Sequence, residues 1–228
     1  MFAAVIVAAG SSRRAGFDKL AAPLGGMPVL GRSVRVFLRA GCVPVVVVCP
    51  PERWAATGLA ELAESMPLCR VDGGAERQDS VAAGLAALPE GVEWVAVHDG
   101  ARPLVTPDGV CRCLEAAQRS GAAACAHPVV DTLKRADARG CTLPEAVSRD
   151  GLWAMETPQV FRLDLLRRAY AEVARRGLRV TDEVSALELI GQPTTLVQVG
   201  PNLKITLPGD LEMAELIWSH RARVGDIS

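Results

Sequence analysis

Three short stretches and two isolated cations carry the residues best suited to holding a phosphate-bearing ligand. The first stretch is Ala8-Ala-Gly-Ser-Ser-Arg-Arg-Ala-Gly-Phe-Asp-Lys19. Gly10, Ser11 and Ser12 can offer N–H groups to phosphate oxygens, and Arg13, Arg14 and Lys19 add positive charge. The stretch is neither a G-x-G-x-x-G dinucleotide fingerprint nor a Walker A loop ending in G-K-[ST]. The second is His98-Asp-Gly-Ala-Arg-Pro103. There Asp99 could hold a ribose hydroxyl or a divalent cation and Arg102 could reach an anion, or the two could simply pair with each other. The third is Val71-Asp-Gly-Gly-Ala-Glu-Arg-Gln-Asp-Ser80. Its paired glycines permit positive φ and the close approach of a flat ligand, and Ser80 could cap the next helix or read a base edge. Arg149 and Lys204 complete the charges. Thr132, Thr157 and Thr181 supply hydroxyls with no distinguishing pattern of their own.

These residues need a scaffold, and the hydrophobic pattern supplies one. Ala3–Ala8, Val45–Cys49, Leu68–Val71, Trp94–His98 and Ala122–His127 read as strands. Between them Val29–Ala40, Glu52–Ser65, Asp79–Leu88 and Thr106–Ser120 read as helices, the last with a threonine cap followed by proline. The strands are continuously apolar and do not alternate, as expected when helices cover both faces of a parallel sheet. The expected fold is therefore α/β, Rossmann-like and doubly wound, with a mostly parallel sheet. Ligands in such sheets sit outside the carboxyl ends of the strands, where all three stretches fall. After about residue 128 the pattern turns polar. An exposed strand over Pro128–Arg135 and a polar run to Asp150 predict a β-arm, approximately 133–152, protruding from a single domain of 1–228. Helices over Arg162–Gly177, Thr181–Gly191 and Asp210–Val224 and short strands over Thr194–Val199 and Lys204–Thr206 complete the reading.

Composition narrows the classes. Half of the 228 residues are hydrophobic, so a sizeable core can form. Lys plus Arg number 25 against 26 for Asp plus Glu, a formal charge of −1. That balance argues against nucleic-acid or membrane-surface binding, so any anion must be held by a local cluster. No apolar run approaches the ~20 residues of a bilayer span. The apolar N-terminus has its arginines after the run instead of before it, which reads as a buried first strand and not a signal peptide. Seven cysteines without a C-x-x-C pair fit reduced thiols in the cytoplasm.

Seven segments in register along nearly the whole chain resemble the 2-C-methyl-D-erythritol 4-phosphate cytidylyltransferases of the non-mevalonate isoprenoid pathway. They are AAGSSRR, VDGGAERQDSV, VHDGARP, PVVDTLKR, SRDGLWAMETPQVF, TDEVSALE and NLKIT. The resemblance implies transfer of CMP from CTP to methylerythritol phosphate with release of pyrophosphate, by in-line attack assisted by Mg2+ or another divalent cation. It assigns Arg14 and Lys19 to the transition state, and Arg149 and Lys204 to positioning methylerythritol phosphate. It places Ala8, Ala9, Gly10, Ser11, Gly74, Ala75, Ser80 and Asp99 around the nucleotide, Asp99 also facing the metal region. Arg102, Thr132, Thr157 and Thr181 would line the acceptor pocket. It implies a homodimer in which the arm carries Thr132 and Arg149 into the partner's site. Here the loop before Lys19 is shorter than is common in that family, and Ser148 stands where an aspartate is common. A ribitol 5-phosphate cytidylyltransferase is the alternative, because that family shares the nucleotide loops. A molybdopterin cytidylyltransferase would leave SRDGLWAMETPQ and NLKIT without purpose, and an NAD-dependent oxidoreductase would need the missing glycine fingerprint. A nucleotide sensor without catalysis would not need all of Arg14, Lys19, Arg149 and Lys204.

Overall fold

The computed structural model describes residues 1–10 and 16–224. In chain order its strands are β1 (Phe2–Val7), β2 (Pro23–Leu24), β3 (Met27–Pro28), β4 (Val45–Val48), β5 (Leu68–Val71), β6 (Trp94–Asp99), β7 (Ala122–Pro128), β8 (Lys134–Ala136), β9 (Thr142–Ala146), β10 (Trp153–Arg162) and β11 (Thr195–Val197). The helices are α1 (Val29–Arg39), α2 (Pro51–Ala56), α3 (Leu59–Ala63), α4 (Arg77–Ala86), α5 (Pro107–Ser120), α6 (Leu163–Arg176), α7 (Glu183–Glu188) and α8 (Pro208–Val224).

Seven strands form one sheet in the order β11-β7-β10-β6-β1-β4-β5, and only β10 runs antiparallel to its neighbours. Successive residues of a strand face opposite ways, and here both ways lead to a core. Ala4 and Ile6 of β1 join Val45 and Val47 of β4 beneath α1 and α5. Ala3 and Val5 join Val46 and Val48 beneath α4 and α6. Helices on both faces explain why the strands carry no polar alternation. The second face is packed closely: a Cβ on Gly84 of α4 would lie 2.4 Å from Cγ1 of Val5. Local signals set the helix ends as expected for α5. Thr106 accepts a hydrogen bond from the Gly109 N–H at 3.1 Å, and Gly121 follows at φ 89.

The structure departs from the sequence reading in four places. The helix expected over 52–65 is two short ones, broken at Gly58, whose φ of 67 no helix interior accepts. Residues 204–206 form no strand. The expected strand over 128–135 is divided, because β7 ends at Pro128 and β8 begins only at Lys134. Most consequentially, residues 153–162 form the long strand β10, inserted between β7 and β6. Its register shifts between Met155 and Gln159, and Pro158 sits in that irregularity, where no ladder hydrogen bond is required of it. The arm is a separate hairpin of β8 and β9, every strand residue of it exposed.

Candidate active site

The parallel strands β5, β4, β1 and β6 end level with one another at Val71, Val48, Val7 and Asp99. At this edge the chain leaves β1, β5 and β6 into the three chemistry-bearing stretches, and β4 into α2, which carries Arg53. Both ends of the first stretch are tied down. Arg53 of α2 donates to the Ala8 carbonyl and to Asp18 Oδ2 at 3.0 Å, and Asp18 Oδ1 accepts from the Leu20 N–H at 3.1 Å. The adjacent Lys19 ammonium donates to the Ile205 carbonyl at 2.6 Å, which sets it beside the segment carrying Lys204. Gly10 is exposed at the edge of the sheet. Ser11 and Arg14, with Ser12 and Arg13, lie outside the described residues.

The glycine turn is shaped by packing. Neither Gly73 nor Gly74 has positive φ. What glycine provides is room: a Cβ on Gly73 would lie 2.3 Å from the Ala9 Cβ, and one on Gly74 would lie 2.3 Å from the Asp79 Cβ. The turn is thereby pressed against the exit of β1, with Ala75 exposed beside it. Ser80 does not cap α4, because Glu76 and Asp79 form a reciprocal capping box there. The buried Ser80 hydroxyl accepts from the Gly74 N–H at 3.2 Å and faces the Glu76 carbonyl at 3.3 Å, bracing the turn from inside.

Asp99 is the electrostatic centre. Lys204 Nζ lies 2.7 Å from Oδ2, Arg77 Nε lies 3.2 Å from Oδ1, and Arg102 Nε lies 3.8 Å from Oδ2. Burial alone would push this carboxyl up, but Arg77 and Lys204 outweigh it and hold Asp99 well below the usual carboxylate range. Arg102 pairs with Asp99 only at the longer distance. Its main bonds go to the Asn202 carbonyl at 2.8 Å and, more weakly, to the Met155 carbonyl at 3.5 Å. Asn202 in turn donates to Glu156 Oε2 at 3.0 Å and to the Thr157 carbonyl at 2.7 Å, which fixes the approach to Lys204.

Thr157 is buried and both of its hydroxyl contacts are internal. Its Oγ1 accepts from the Asp99 N–H at 3.0 Å and lies 3.0 Å from His98 Nδ1. His98 Nε2 lies 3.0 Å from the Arg102 carbonyl, which can only accept, so Nε2 carries the proton and Nδ1 accepts from Thr157. This chain locks Asp99 and Arg102 relative to each other. Thr181 is exposed just before α7, whose cap is Asp182, accepting from the Ser185 N–H at 3.0 Å.

His98 yields a prediction about pH. Complete burial pushes its imidazole down to about 3 from the ordinary 6.5. Below 6.5 the unfolded chain takes up a proton that the folded chain refuses, so stability falls as pH drops from 6.5 towards 3. At pH 5 the loss is about 2 kcal/mol. Urea unfolding at pH 7.5 and 5.0 measures it, and His98→Asn should show a correspondingly smaller drop. Equal drops in the two proteins would refute this assignment.

Lys19, Gly74, Ser80, Asp99, Arg102, Thr157 and Lys204 thus converge with Ala8 and Ala9. Thr132 and Arg149 do not join them. Both are exposed beside the arm, and the Arg149 guanidinium donates to the Val130 carbonyl. Arg77 and Glu183 were not singled out from the sequence, although both lie inside stretches quoted above. Arg77 forks onto Glu183 at 2.7 and 3.0 Å while its Nε reaches Asp99. In this arrangement Lys204 and Arg77 meet the two carboxylate oxygens of Asp99, so a divalent cation there would share the carboxylate with them. Among the described residues no group of three or more His, Cys, Asp or Glu side chains could hold a metal without the phosphates of a ligand.

The profile of the family described as IspD, 2-C-methyl-D-erythritol 4-phosphate cytidylyltransferase, matches residues 2–220. A protein of that name from Parasynechococcus marenigrum is 41% identical over 222 residues, covering 95% of this chain and 97% of the relative. The bifunctional enzyme IspD/IspF of Anaeromyxobacter is 43% identical over 227 residues, covering 98% of this chain and 58% of that protein. Among solved structures, the 2-C-methyl-D-erythritol 4-phosphate cytidylyltransferase of Thermus thermophilus superposes with a TM-score of 0.78 at 36% identity. The match covers 95% of this chain and 98% of the other.

Proposed function

The chain belongs to the 2-C-methyl-D-erythritol 4-phosphate cytidylyltransferase family, a family of nucleotidyltransferases, and from that premise we propose that it transfers CMP from CTP to methylerythritol phosphate. An oxygen of the acceptor phosphate attacks the α-phosphorus of CTP in line, the bond to the β-phosphate breaks, and pyrophosphate leaves. The observation that carries this reading is the meeting of Lys19 with the Lys204 segment at the carboxyl edge of the sheet, beside the glycine turn. The task there is to position two anions and to stabilise charge developing on the phosphoryl oxygens. A site of converging cations suits that task. Lys19 serves the α-phosphate, a role the family resemblance also gives to Arg14. Lys204 and Arg102 face the acceptor phosphate, and the braced glycine turn reads the base. Magnesium or another divalent cation, when bound with the nucleotide, would neutralise charge on the triphosphate.

The arm hairpin, exposed throughout, favours a homodimer in which Thr132 and Arg149 complete the partner's site. Val130, 75% exposed, and Leu143 supply apolar surface for such a contact. Seven free cysteines suit a reducing, cytoplasmic setting. No helix among the described residues is long and apolar enough to cross a membrane.

Pyrophosphate release from CTP and magnesium tests the reaction, with methylerythritol phosphate and ribitol 5-phosphate as separate acceptors. Turnover with ribitol 5-phosphate alone would overturn the acceptor assignment. For the shared site, Arg149→Ala should mainly impair use of the acceptor. Verified heterodimers pairing an Arg149→Ala subunit with a Lys19→Ala subunit should regain activity, because one of the two sites is then intact. Heterodimers as inactive as either parent would refute the crossing arm.

A further inference from the structure

The ion pairs of Asp99 continue through Arg77 to a buried carboxylate, that of Glu183. The two cations that meet the Asp99 carboxylate differ in their freedom. The Lys204 side chain keeps 41% of its exposure and has Asp99 as its ion-pair partner among the described residues. The Arg77 side chain keeps 26%, and both of its terminal nitrogens are forked onto the two oxygens of Glu183, whose side chain is wholly buried. Glu183 also accepts from the Tyr170 hydroxyl at 3.0 Å. An anion arriving at the edge can therefore draw Lys204 away, whereas Arg77 cannot follow without breaking a buried fork.

A carboxylate as buried as Asp99 cannot be left without a counter-charge. We propose that Arg77 is the standing counter-ion of Asp99, held by Glu183 and Tyr170, and that it allows Lys204 to exchange between Asp99 and the phosphate of the acceptor. Arg77 and Glu183 are then positioning residues that touch no substrate. A second observation supports the exchange. Arg102 Nε is buried without a hydrogen-bond partner and lies 3.8 Å from Oδ2, the oxygen that Lys204 occupies. When Lys204 turns away, a small shift lets this orphaned donor take the vacated oxygen. The inference rests on the reading that Lys204 meets the acceptor phosphate.

Lys19, Lys134 and Lys204 are the only lysines of the chain, so each is resolvable by NMR with isotope-labelled lysine. Inorganic phosphate is the probe, and Lys204→Arg assigns the signal. In the wild type the Lys204 signal should move with millimolar phosphate. Arg77→Met combined with Glu183→Gln replaces the ion pair by neutral groups of similar size, so this variant should fold even where Arg77→Met alone does not. In it the phosphate response of Lys204 should weaken at least tenfold. The acceptor KM should rise at least tenfold while the CTP KM changes less than threefold. A folded double variant with a wild-type phosphate response and acceptor KM would reduce Arg77 to a structural residue and overturn the proposal. So would a wild-type Lys204 signal that ignores phosphate in an enzyme that uses methylerythritol phosphate. A wild type inactive with both acceptors whose Lys204 still responds, and loses that response in the double variant, would instead refute the assigned reaction and leave the exchange standing.

Discussion

Replacing Lys19 with alanine should lower turnover by roughly two orders of magnitude or more, the size seen when one charge-stabilising donor is removed from a preorganised site. The effect should fall on kcat, with a smaller change in the KM for CTP, because the charge is needed most where negative charge develops. The structure supports so large an effect. The Lys19 ammonium is held 2.6 Å from the Ile205 carbonyl, and the Asp18–Arg53–Ala8 ties fix the chain on which it sits. The protein should remain folded, since an intramolecular hydrogen bond contributes only about 1 kcal/mol net. Steady-state pyrophosphate release measures the result, and near-full turnover would remove Lys19 from the chemistry.

Asp99→Asn should destabilise the fold by about 3–5 kcal/mol, the range for a buried ion pair that loses one partner. Arg77 and Lys204 would then face each other across a neutral amide, with Arg102 close by. The pH dependence separates this effect from that of His98. Because the Asp99 carboxyl is held below its ordinary 3.8, its contribution is complete above that value and is lost only as pH falls through its lower folded value. The difference between wild type and variant should therefore stay constant from pH 5 to 8. Urea midpoints across that range measure it. A difference that shrinks steadily between pH 7 and 5 would show that Asp99 is not held ionised by its cations.

Much of the site could be read before any coordinates because its parts lie in short local stretches. The loop to Lys19, the turn at Gly74, the Asp99–Arg102 step and the Lys204 segment each sit next to a strand or helix with a clear apolar signal. Other features were hidden for physical reasons. β10 carries a proline and a register shift, so it lacks the uninterrupted pattern of its neighbours. Gly58 divides a segment whose apolar spacing suits one helix. The paired glycines suggested positive φ, yet what they provide is room against Ala9 and Asp79. Arg77 and Glu183 carry no distinguishing pattern of their own, because nothing local marks a side chain that will be buried against a partner 106 residues away.

The sequence by itself determined the strands that helices must cover on both faces, and with them the parallel core and the edge at which cations would gather. Those follow from side-chain periodicity and burial, which act over a few residues. Only the tertiary structure decided which charges pair. It set Lys204 and Arg77 on opposite oxygens of Asp99, turned Thr157 and His98 into its internal support, and left Arg149 outside on the arm. Ion pairing depends on distances of a few ångströms between remote segments and on how much water burial removes. Neither quantity exists until the chain is folded.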